Sequence, residues 1–484
     1  MAIQTVIDPS NKVPGACIKV SLGVGPRSAG DAPRKVLLYG NKLAAAPHPI
    51  DTVVQVLTEE DAVALFGQGS ELHLMVVAAL TVNRNVDLNC IVVEEGLGPA
   101  ATEDLIFSGA PAAEPGTVQV WINGAKVTAA IAVGDDSMAV VISMAATINA
   151  NPDLPATAGA AAGTVAVTAN QKGPRGNFIF LRSLKVGAPL VTHSLVSGYL
   201  AGGTASDDPQ DAIDAAAPVR FHYHVAPYED AVELAKFRTH VDADAVPEVG
   251  QRELFVYGSR DTLALTTTTA TTLNAARGQV AWAYNAEHTS GEAAAAMAAR
   301  RAREESIDPG VNLDEQKLEG LRGPVSLSDI PSTSELVSAL NNGITPLVQQ
   351  SGVQTIVRSI TTKSQDGTAN PDYGVLDTTK VVVPDFIADT IDAQWGPLFA
   401  GTKATEVEDP PPPPGTINPP IVRDFLYQVM KQAEADGLVE NVDARADELV
   451  VELADVPAGR FNAVVPTDVI EGTHQLSADV RQVG

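Results

Sequence analysis

Cysteine is nearly absent: Cys17 and Cys90 are the only two in 484 residues. That excludes a disulfide framework and a cysteine-based zinc site. Cations are also short, with 32 Lys and Arg against 59 Asp and Glu, a formal net charge of −27. Duplexes and anionic membranes are bound by neutralising their negative charge, so this balance speaks against nucleic-acid binding and membrane attachment. Aromatic residues make up only 5%. The longest apolar run, Leu74 to Val82, falls far short of the ~18–20 residues that span a bilayer. Met1-Ala2-Ile3-Gln4-Thr5 opens no basic and apolar leader, so a soluble chain made in the cytosol is expected.

The motifs of common catalytic chemistry are missing too. There is no Gly-Lys dipeptide for a P-loop, no His-Glu-x-x-His and no Gly-x-Ser-x-Gly. Gly23-Val24-Gly25-Pro26-Arg27-Ser28 begins like a dinucleotide fingerprint. Pro26 removes an amide, however, and Ser28 stands where the third glycine belongs. His222 and His224 flank Tyr223 on one strand face without an identifiable third metal ligand. Asp242 and Asp244 at a helix end could bind a divalent ion, against the reading of a solvated loop, and Arg300-Arg301-Ala302-Arg303 reads as cations suiting a helix C-terminus. No catalytic residue, cofactor or metal site is assigned.

What is present is alternation of strands and helices over a chain long enough for two or three domains. The expected fold class is α/β (α+β) and multidomain: a core mixed sheet with helices, an inserted β-rich domain, and extended terminal strand arms. Residues 1–34 form the N-terminal arm and 35–96 the first part of the core. Thr58, with Glu59, Glu60 and Asp61 behind it, predicts a helix start. Residues 97–203 form the inserted domain, where Asn123-Gly124 between two alternating runs predicts a type I′ hairpin and a helix follows over Ser137–Ala150. Residues 204–466 form the rest of the core, with a proline-rich surface loop at 409–420 and a helix over Val422–Gly437. Residues 467–484 form the C-terminal arm.

Both arms carry a period of two. Ala16, Ile18, Val20 and Leu22 alternate with polar residues near the start, as do Leu476, Ala478 and Val480 near the end. Neither strand has a partner within hairpin distance. An unpaired strand is a template edge for another chain, and two of them suit head-to-tail addition to neighbouring sheets. Cys17 sits on the polar face of the first arm, whereas Cys90 lies in an apolar strand. The two are the candidates for an inter-subunit disulfide, against free thiols.

Several stretches resemble Mu-type phage tail sheath proteins. They are Val13-Pro14-Gly15-Ala16-Cys17-Ile18-Lys19-Val20, Lys35 to Leu43, Ala64 to Ser70, Ser351 to Thr362, Gly437 to Asn441 and Arg460 to Pro466, in the family's order. The resemblance implies a structural, non-enzymatic subunit of a contractile sheath. It implies self-assembly as hexameric rings stacked in a helical polymer around an inner tail tube protein, bounded by baseplate and tail terminator proteins. Contraction would drive the tube through the target envelope; the location implied is the virion tail, assembled in the host cytoplasm. A non-contractile shell or surface-layer protein, and a nucleotide-binding α/β enzyme, are the other classes considered.

Overall fold

The computed structural model describes residues 33–407, 412–454 and 459–481. Its centre is a nine-stranded mixed sheet in the order Lys317–Leu318, Val353–Ile356, Thr345–Gln350, Gly278–Trp282, Leu254–Ser259, Tyr223–Ala226, Lys35–Gly40, Asp87–Val92, Val53–Gln55. The run from Thr345–Gln350 to Asp87–Val92 is parallel, and the outer strands are antiparallel. Parallel strands need helical crossovers, which cover both faces and make the strands apolar throughout. Leu254–Ser259 and Gly278–Trp282 accordingly have every residue buried. Glu71–Val82 and the alanine-rich Ser290–Ile307 cover one face; Ala231–Asp244, Leu263–Leu273 and Gln210–Ala216 cover the other.

Local signals set several of these elements. Thr58 caps Glu59–Phe66 through a reciprocal capping box: its hydroxyl accepts from Asp61 N at 3.2 Å, and the Asp61 carboxylate accepts from Thr58 N at 3.0 Å. The Asn123-Gly124 turn has φ of 48° and 78° and joins Gly116–Ile122 to Ala125–Ile131. These left-handed values match the twist of the flanking strands. The apolar run Leu74 to Val82 lies within the Glu71–Val82 helix, under the sheet.

Residues 100–200 build their own hydrophobic core from a four-stranded sheet, a three-stranded sheet and the helix Ser137–Asn149. The junction with the main sheet is polar. Arg175, in the short turn Pro174–Phe178, donates to Glu71 Oε2 at 2.5 Å, to the Asp207 carboxylate at 2.6 and 2.8 Å, and to Asn41 Oδ1. Its guanidinium also lies over the Tyr228 ring. Asn170 Nδ2 donates to Gly69 O at 2.9 Å, Tyr199 OH to Asn285 Oδ1 at 2.8 Å, and Arg322 to Gly124 O at 2.7 Å.

Glu229 lies beside this junction, accepting from Ser259 Oγ and Arg260 N at 3.1 Å and from Ser290 Oγ. Burial pushes its carboxyl up to about 7 despite those donors. Its folded value therefore exceeds its unfolded one, and the folded state holds the extra proton between them. Stability from this group is full below about pH 4.5 and declines as pH rises towards about 7. Glu229→Gln should remove that component, so the variant gains on the wild type between pH 5 and pH 8 in urea midpoint. Parallel pH profiles for the two proteins would contradict the assignment.

The sheet ends at Ile356, short of the span read from sequence as continuous core over 204–466. Residues beyond 379 form two further apolar clusters around the helices Thr379–Phe399 and Pro419–Ala435. The proline-rich loop is closed at its base by parallel pairing of Lys403–Ala404 with Thr416–Ile417.

Candidate assembly interface

The helix Pro419–Ala435 starts where Asn418 Oδ1 accepts from Ile421 N at 3.1 Å, and Gly437 (φ 77°) follows its end. Its apolar stripe, Val422, Leu426, Val429, Met430 and Ala433, is buried. One side packs on Val383 and Ile387 together with Leu438, Val439 and Val469. The other side holds Leu449, Val451 and Phe461. Arg423 adds bonds to Leu449 O at 3.0 Å and Ala446 O at 2.7 Å.

This packing fastens an isolated antiparallel pair to the body. Val450–Ala454 runs against Arg460–Val464, with Val450 opposite Val464 and Ala454 opposite Arg460. Among the described residues no third strand joins either edge. Val450 and Val464 are exposed. A two-stranded sheet is marginal alone, and its free N–H and C=O groups are a template for an incoming strand.

The chain then crosses the body and leaves it. Glu440 N donates to Asp468 O at 2.8 Å and Ile470 N to Leu438 O at 3.1 Å, with Val469 buried. Lys380 pairs with Glu471, and His474 Nδ1 meets Asp314 Oδ2 at 2.6 Å. Beyond His474 the described residues carry no strand, and Leu476 and Val480 are 92% and 93% exposed. Ala478 is exposed as well. In an extended conformation these three side chains share one face. The separation between held and free chain thus falls after His474, inside the 467–484 arm.

Ala16, Ile18, Val20 and Leu22 lie outside the described residues, as do Cys17 and the Gly23–Ser28 stretch. Cys90 is fully buried in Asp87–Val92, and burial pushes its thiol far up. A thiol so placed is closed to a neighbouring chain, which corrects its candidacy for an inter-subunit disulfide. The arginine cluster also differs from the sequence reading. The helix continues to Ile307, and Arg300 and Arg301 are buried in it. Arg301 donates to Glu305 Oε1 at 2.6 Å and Gln279 Oε1 at 2.9 Å, and lies over the Tyr223 ring. Arg300 holds Lys317 O at 2.7 Å and pairs with Glu304 and Glu319.

The two histidines of the 222–224 strand do not act together. His222 accepts from Lys35 N at 3.0 Å, and burial beside Arg34 and Arg220 pushes it down to about 3. His224 is engaged with Tyr39 and Glu253. Asp242 and Asp244 pair along their own helix with Arg238 and His240.

No protein-family model matches the chain. It is 26% identical over 427 residues to the Mu-like prophage FluMu tail sheath protein of Haemophilus influenzae, with 86% of each chain covered. Among solved structures it is similar to a sheath tail protein of Desulfitobacterium hafniense, at 12% identity and a TM-score of 0.48, covering 94% of this chain and 100% of that one. It is also similar to the sheath complex of an extracellular contractile injection system in its contracted state, at 13% identity and a TM-score of 0.45, with 98% of each chain covered.

Proposed function

We propose that this chain is a subunit of a contractile tail sheath, polymerising around an inner tube and contracting to drive that tube through a target envelope. The likeness to a tail sheath protein over 86% of both chains carries the reading. The unpaired segment after His474 and the open pair Val450–Ala454 and Arg460–Val464 support it, as donor and acceptor of one strand addition. The arm Ala16–Leu22 would supply a second donor strand. A donor and an acceptor at different places on one chain make a heterologous contact, which propagates into rings or helices instead of closing as a dimer.

In this reading the sheet and its helices act as a rigid block and the terminal segments as links that survive rearrangement. Contraction is the passage of the lattice from one packing to a lower one once a barrier falls, so the work comes from packing and not from catalysis. Hexameric rings, contacts with tube, baseplate and terminator proteins, and a place in the virion tail after assembly in the host cytoplasm belong to the same proposal.

Negative-stain microscopy of the purified full chain tests it. Long hollow tubes are expected at high protein concentration. Discrete globular particles under the same conditions would refute it, and flat sheets would favour a surface layer.

A further inference from the structure

A buried polar cluster sits between the main sheet and the helix Ala231–Asp244, away from the strands of the proposed assembly interface. His224 comes from the central strand Tyr223–Ala226, His240 from that helix, and Glu253 from the residue preceding Leu254–Ser259. Their side chains are 1%, 9% and 1% exposed. One ligand atom from each lies within 4.8 Å of the other two. His224 Nε2 is 2.9 Å and His240 Nε2 is 3.4 Å from Glu253 Oε2. Ligands at ~2.0–2.1 Å from a tetrahedral zinc ion stand roughly 3.3 Å apart, so these separations are close to those of a bound set.

The surroundings add two observations. His240 Nε2 is buried and faces Glu253 Oε2 at 3.4 Å without the alignment of a hydrogen bond, while His224 Nε2 engages the same oxygen at 2.9 Å. Two of the three residues are also held from behind, and the third has a carboxylate near it. His224 Nδ1 meets Tyr39 OH at 2.8 Å and Glu253 Oε1 accepts from Phe221 N at 2.7 Å, while His240 Nδ1 faces Asp244 Oδ2 at 3.6 Å, beyond a direct hydrogen bond. Such outer partners fix the ring orientation and tautomer of metal-ligating histidines.

We propose that His224, His240 and Glu253 bind one divalent transition-metal ion through two imidazoles and a carboxylate, with zinc as the ion these donors suit best. A fourth position is left for water. On binding, the ion takes the place of the proton on His224 Nε2; the ring stays neutral by carrying its one proton on Nδ1, which faces Tyr39 OH. The ion ties the helix to the two strands beneath it, a structural clip within the rigid block.

The test uses the purified full chain stripped with a chelator and then titrated with zinc chloride, and separately with cobalt chloride. One ion per chain, an apparent Kd of about 1 µM or tighter, a higher melting temperature with zinc and the visible bands of four-coordinate cobalt are expected. Asp244→Asn, which leaves all three ligands in place, should weaken binding roughly 10–100-fold, and His240→Ala should abolish the cobalt bands. Absence of stoichiometric binding by the wild-type chain would overturn the site. So would binding that His240→Ala leaves unchanged.

Discussion

Replacing Leu476 and Val480 together by aspartate is expected to abolish tube formation while leaving the unfolding midpoint of the monomer unchanged. Both side chains are more than nine-tenths exposed in the single chain, so the monomer has nothing to lose by their replacement. In the proposed lattice they would form the apolar face of the added strand. Burying two such side chains stabilises a junction by about 3–6 kcal/mol, and aspartate at a buried position adds a desolvation cost. A loss of even 3 kcal/mol weakens each junction about a hundredfold, and it recurs at every subunit. Truncation after His474 should act in the same way. The whole 467–484 segment is a poorer choice, since Val469 is buried and removing it would damage the body. Tubes of normal length from the double variant would exclude strand donation by this segment.

Arg175→Ala should be the most damaging single change in the body. The side chain is buried between Glu71 and Asp207, whose side chains are 6% and 2% exposed. Removing the guanidinium leaves two buried carboxylates uncompensated, which typically costs about 3–5 kcal/mol. Burial already pushes Glu71 up to about 7 with the arginine present, so without it Glu71 is expected to take up a proton near neutral pH. The loss should therefore be greater at pH 8 than at pH 5. Urea unfolding at both pH values, with hydrogen exchange across residues 100–200, measures this. A change below about 1 kcal/mol would mean that solvent already reaches the cluster.

Elements with strong local chemistry could be read from sequence. Thr58 with Asp61 marks a helix start, Asn123-Gly124 marks a hairpin, and the stripe from Val422 to Ala433 marks a helix. The 21-residue helix Thr379–Phe399 gives no clear sequence signal, because Pro384 and Pro397 lie inside it and its apolar residues form no clean stripe. Val53–Gln55 is too short to show a period. The burial of Arg300 and Arg301 is not legible locally, because burial of a cation depends on acceptors far away, such as Gln279 and the Lys317 carbonyl. The same holds for the interface. The period of two in Leu476, Ala478 and Val480 was visible, but the anchoring of His474 on Asp314 is a contact across 160 residues that no local pattern announces. His240 and Glu253 carry no local mark beside His224 for that reason too: a helix and the lead into the next strand bring them together.

The bond between His474 and Asp314 also gives the outgoing segment a fixed origin. Val480 lies six Cα–Cα steps beyond His474, and fully extended these reach about 20–22 Å. Under the proposed strand addition, the strip of backbone that receives Val480 has to stay inside a sphere of that radius around the origin, before and after any rearrangement. The segment would then be a leash of known length, permitting tilting and sliding of adjacent bodies within that radius and forbidding their parting beyond it.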